Sequence, residues 1–125
     1  QQQASPLDPF EAWNEYERRW EAIGNGDLNE SNLTFASIPW PMNPQPASVQ
    51  DLNAERIKSF ILSPAHSQNK SHKHLLREQL LRFHPDRFET RLLERVRESD
   101  RAAVKEGANM VARYLNDALP LYNSL

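Results

Sequence analysis

His84, Pro85 and Asp86 place an imidazole and a carboxylate on either side of a residue that stiffens the backbone. Such a pair can offer a donor and an acceptor to a partner molecule. Around it stand Lys70, Lys73, Arg77, Arg82 and Arg87, fixed positive charges that would steer an acidic surface toward the corner. Two other chemistries fit the same residues poorly. A metal needs converging donors, but His72 and His74 are two apart, on different sides of a helix, and His66 and His84 flank that helix at opposite ends. Catalysis by His84 with Asp86 would need a nucleophile and an oxyanion loop, and neither is legible. The reading is therefore no metal, no cofactor and no enzymatic activity. The plainest alternative makes the tripeptide punctuation: Pro85 drives His84 out of the helical region and Asp86 caps the next helix.

Helices must position these groups. Asp8-Pro9-Phe10-Glu11 is a helix-start signal, with Asp8 as cap and Pro9 at the first helical position. Phe10, Trp13, Trp20 and Ile23, with Tyr16 on the flank, then recur at helical spacing up to Gly24 and the Asn25-Gly26-Asp27 turn. From residue 33 to 47, Pro39, Pro41, Pro44 and Pro46 forbid regular helix. Leu33, Phe35, Ile38 and Trp40 make this stretch an extended strap pinned across a helical surface, in preference to a free proline-rich ligand.

Ser48-Val49-Gln50-Asp51 reads as a capping box for a second helix running to about Ser63, with Leu52, Ile57, Phe60 and Ile61 on its buried face. Ser71 then caps a third helix, whose Leu76, Leu80 and Phe83 form a stripe widened by Leu75 and Leu81, with a basic opposite side. Beyond the corner, Asp86-Arg87-Phe88-Glu89 repeats the capping-box spacing, and Phe88, Leu92, Leu93 and Val96 give a short apolar face. Ser99-Asp100 marks a restart. Val104, Gly107, Ala108, Val111, Tyr114, Leu115 and Ala118 complete the longest periodicity, in which Gly107 and Ala108 would admit a neighbouring helix. No strand pattern competes.

Composition narrows the classes further. A chain of 125 residues can bury one core, and with no cysteine it has no disulfide or thiolate chemistry, as suits a reducing compartment. No apolar run approaches the ~18 residues that span a bilayer, so no membrane is expected. The net charge of −2 argues against generic phosphate binding. Residues 1–35 are acidic and residues 70–91 basic, so the two regions could attract each other or leave the basic face to an acidic partner. Opening on Gln1 and not Met, the chain reads as a piece of a longer protein.

The stretch LLREQLLRFHPDRFE, residues 75–89, resembles the corner of the J domain in the DnaJ co-chaperone family, a basic helix with an aromatic before an HPD tripeptide. IKSFILSPAHS upstream and AAVKEGANMVARYLNDAL downstream are similar to the helices on either side, so the resemblance covers roughly residues 49–119. A closer resemblance joins EYERRW, LTFASIPWP and LLREQLLRFHPDRF, in that order, to the C-terminal region of the NF-kappa-B inhibitor-like protein family and its fungal relatives. It implies a nuclear setting and links to inhibition of NF-kappa-B signalling and to pre-mRNA splicing; the location expected is nuclear, with a cytoplasmic pool besides. Two features depart from ordinary J domains: Glu78 stands where a base is common, and a helical piece follows Arg87-Phe88.

The fold expected is all-α: a J-like antiparallel helical hairpin with an HPD loop over residues 48–125, carrying an extra N-terminal helix and proline-rich strap over residues 1–47. The function expected is non-enzymatic protein interaction. As a co-chaperone the domain would stimulate a heat-shock 70 kDa type ATPase, with His84, Pro85 and Asp86 engaging it and Lys70, Lys73, Arg77, Arg82 and Arg87 steering the approach. As a degenerate J-like scaffold it would hold splicing or other nuclear partners. RNA binding is a third and weaker reading.

Overall fold

The structure, a computed structural model, describes residues 7–24 and 32–122; the Asn25-Gly26-Asp27 turn lies outside them. Five α-helices succeed one another among those residues: α1 Pro9–Gly24, α2 Ala54–Ile61, α3 His72–Phe83, α4 Pro85–Arg91 and α5 Glu98–Ala118. The fold is all-α, and the β structure among the described residues is a single parallel bridge between Leu33 and Val96.

Local signals account for most helix starts. Asp8 caps α1, its carboxylate accepting from the amides of Phe10 and Glu11 at 3.1 and 3.3 Å. Ser71 caps α3 through His74 at 3.1 Å. The second helix differs from the capping-box reading. Residues Val49–Asp51 form only a single 3₁₀ turn, and α2 begins at Ala54, capped by Asn53, whose side chain accepts from Arg56 N at 2.9 Å. The Asp51 carboxylate turns back to accept from Ala47 N at 2.9 Å, so it stabilises the strap's exit and is not available to the helix.

Helices α3 and α5 pack antiparallel. The His72 ring at the start of α3 meets Tyr122, just past the end of α5, edge-on at 5.3 Å, while α4 at the other end lies along α5 with Glu89 facing Lys105 at 3.8 Å. The strap crosses this pair. Leu33, Phe35, Ile38 and Trp40 are all buried, the last two completely. Gln45 serves as a substitute peptide group: its Oε1 accepts from Trp40 N, and its Nε2 donates to the carbonyls of Trp40 and Met42. A proline-rich segment that cannot form a ladder has its backbone satisfied by one side chain. The Asn43–Pro44 peptide is cis.

Trp40 explains Gly107. A Cβ at that glycine would lie 2.8 Å from Trp40 Cη2 and 3.4 Å from Leu52 Cδ1. The small residue in α5 thus admits an indole from the strap, where the sequence pattern pointed to a neighbouring helix.

Glycine-to-alanine changes in mid-helix ordinarily stabilise by about 1 kcal/mol. Gly107→Ala is expected to do the reverse, because overpacking against a rigid ring costs roughly 1–3 kcal/mol. Denaturant unfolding of the variant should show a net loss of stability; a gain would mean that Trp40 yields freely.

Candidate protein-interaction site

The corner after α3 is built from below. Phe83 closes α3 and Phe88 lies in α4, their rings stacked at 5.8 Å, and Trp40 stacks on Phe83 at 6.0 Å. Both phenylalanines are buried. Anchored on either side in this way, residues 84–86 have little freedom, yet His84 and Asp86 are exposed.

Their local roles differ from the sequence reading. Pro85 occupies the first position of α4, so the cap falls to His84, whose Nδ1 accepts from Asp86 N at 3.3 Å. That bond leaves the proton of the neutral ring on Nε2. Asp86 is not a cap. Its carboxylate sits in the first helical turn, where it complements the helix dipole. The tripeptide therefore opens a helix and is not a free loop.

The five bases do not form one open face. Arg77 and Arg87 are exposed and Lys73 is half-buried. Lys70 pairs with Glu78 at 3.1 Å, and Glu78 also accepts from His74. Arg82, expected on the docking face, is the most engaged of the five. Its guanidinium lies 5.5 Å from the Tyr16 ring centre and 5.3 Å from that of Trp20, with the Glu17 carboxylate at 3.3 Å. Helix α1 has taken it, by cation–π contact on two faces and an ion pair.

The same helix explains a group that hydrophobic periodicity missed. Gln79 is buried on the core side of α3 beside Leu75, Leu76 and Phe83, with Leu80 half-buried against the core, and it accepts from the hydroxyl of buried Tyr16. Burial holds the Tyr16 phenol protonated well above its usual range. The α1 stripe is accordingly rotated: Ala12, Trp13, Tyr16 and Ile23 are buried, Trp20 is half-buried, and Phe10 is 54% exposed. Further donors tie α1 to the strap, Trp20 Nε1 to the Pro39 carbonyl at 3.0 Å and Arg19 Nη2 to those of Ala36 and Ser37. Burial lowers the Arg19 pKa against the favourable charge of Glu15.

His66 is structural. It stacks flat on Trp13, ring centres 3.8 Å apart, with Nε2 donating to the Phe60 carbonyl and Nδ1 taking the Ser67 hydroxyl. Among the described residues no three His, Cys, Asp or Glu side chains gather as a metal site, and no helix is long and apolar enough to cross a membrane.

Residues 55–121, from α2 through the end of α5, match the family model of the NF-kappa-B inhibitor-like protein 1 C-terminal domain. The chain belongs to this family. No curated protein and no solved structure matches it. The matched region of this NF-kappa-B inhibitor-like domain holds the corner, Gln79 and Arg82; α1, which packs on Gln79 and Arg82, and the strap, which packs on Phe83, lie ahead of it.

Arg82→Ala should cost about 1–3 kcal/mol of unfolding free energy, through two lost cation–π contacts and an unpaired Glu17. Arg77→Ala should leave stability unchanged. Equal behaviour of the two in denaturant titrations would return Arg82 to the surface.

Burial depresses the His66 pKa, against the Phe60 carbonyl and the Glu17 charge, which favour protonation. With the folded value below the ordinary one near ~6.5, the unfolded chain binds more protons as pH falls. The stabilisation is complete above the ordinary value and is lost progressively below it. Melting temperature should fall between neutral and mildly acidic pH, and His66→Gln should flatten that fall.

Proposed function

We propose that the domain is a non-enzymatic, J-like protein-interaction module working as a scaffold, with partners in a nuclear assembly of the splicing or NF-kappa-B regulatory kind. One observation carries the choice of scaffold over co-chaperone: Arg82 is held between Tyr16 and Trp20 by α1. Docking on a heat-shock ATPase, as the J-domain resemblance implies, would draw on a basic helix. Here Arg82 is sequestered, and Lys70 is neutralised by Glu78. On α3 this leaves Arg77 and Lys73, with Arg87 beyond the corner, and such exposed charges supply weak steering, since exposed ion pairs contribute only about 0–1 kcal/mol each. The nuclear setting rests on the family resemblance.

The co-chaperone reading keeps one observation in its favour. His84 and Asp86 are exposed on a corner stiffened by Phe83 and Phe88, and this is a geometry that a partner can grasp.

An ATPase assay separates the two readings. With the domain in excess at low ionic strength, a heat-shock 70 kDa type ATPase should hydrolyse ATP at its basal rate. Stimulation that His84→Gln abolishes would replace the scaffold with a co-chaperone.

A further inference from the structure

Between α1 and α4 the described residues leave a cleft of about 970 Å³, within the size range of ligand-binding clefts. Apolar side chains make up part of its lining. Phe88 and the half-buried Trp20 contribute to it, and so does Leu81, which is 54% exposed despite its size. Arg95 also lines it, its Nη1 donating to the Ile23 carbonyl at 3.3 Å.

Both signs of charge line the cleft, but they are unevenly paired. Arg87 and Arg91 stand four residues apart and so share one face of α4; both are exposed, and neither has an ion partner among the described residues. The α1 wall carries Glu17, Arg18 and Glu21, and α3 adds Glu78; Glu17 is taken by Arg82, Arg18 by Glu15, and Glu78 by Lys70 and His74. Among the described residues, two arginines of α4 without an ion partner thus stand beside an exposed leucine, against Glu21 as the lining carboxylate without one.

We propose that this cleft binds an acidic, amphipathic segment of a partner protein, its carboxylates reaching Arg87 and Arg91 and its apolar side chains covering Leu81 and the accessible part of Trp20. The proposal rests on the reading of the domain as a protein-interaction module and assigns that module a surface beside the corner. A nucleic-acid strand suits the cleft less well. Its phosphates are charged continuously and would meet Glu17, Glu21 and Glu78 in the same space, on a chain whose net charge is −2. A peptide carries its carboxylates on one side only.

The probe is a fluorescein-labelled peptide with glutamates at i and i+4 on one face and leucines on the other, titrated with the full chain at low ionic strength and read by anisotropy. Saturable binding is expected, weakened about tenfold by the double variant Arg87→Glu/Arg91→Glu, since like charges would then face each other. Leu81→Ser should weaken it too, and a control peptide with lysine for glutamate should not bind. Melting curves of the variants should match the parent, because these side chains are exposed. Absence of binding, or affinity indifferent to the charge reversal, overturns the proposal. Tighter binding of an oligouridine RNA that displaces the peptide also overturns it. His84→Gln should leave peptide affinity intact, so a failure of the scaffold reading in the ATPase assay and a failure of the cleft in this titration are read separately.

Discussion

The Trp40 indole, seated where Gly107 has no side chain, is the contact on which the other arrangements depend. It is fully buried, its Nε1 donates to the Phe35 carbonyl at 3.0 Å, and its faces stack on Phe35 and Phe83. Emptying such a site typically costs about 3–5 kcal/mol. The geometric consequence matters as much, because Phe83 is the residue before His84. Through that ring a strap far upstream in the chain sets where the exposed corner stands.

Helix α1 is held in a different way. It reaches the body through long side chains, with Trp13 on His66, Tyr16 on Gln79, Trp20 on Phe83 and Arg19 on the strap. Among the described residues no buried side-chain nitrogen or oxygen lacks a partner, as a buried tyrosine and glutamine require. The price is the basic face of α3: the attraction between acidic front and basic middle is satisfied inside the molecule, by Glu17 on Arg82. Positive charge also stands on α4, beyond the corner, where Arg87 and Arg91 line the cleft.

Much of this was legible from residue order. Proline spacing marked the strap and its four anchors, Asp8 and Ser71 marked two helix starts, and the long periodicity of residues 104–118 marked α5. Elsewhere local rules competed. Ser48 and Asp51 have capping-box spacing, yet the chain after them turns once and restarts at Asn53, because Asp51 is engaged by Ala47. Asp86 has the chemistry of a cap, but Pro85 fits the first helical position better and pushes the cap back to His84.

The sequence by itself determined the all-α class, the proline-stiffened corner, the anchored strap and the need for a small residue at Gly107, since periodicity, backbone restriction and capping act over a few residues. Tertiary structure alone decided that Gln79 enters the core, that Arg82 is drawn against Tyr16 and Trp20, and that an indole fills the space at Gly107. A glutamine is buried only where a tyrosine hydroxyl meets it, and an arginine is drawn inward only where two rings and a carboxylate converge. The partners Tyr16 and Glu17 lie 63 and 65 residues away along the chain, so no local pattern encodes them.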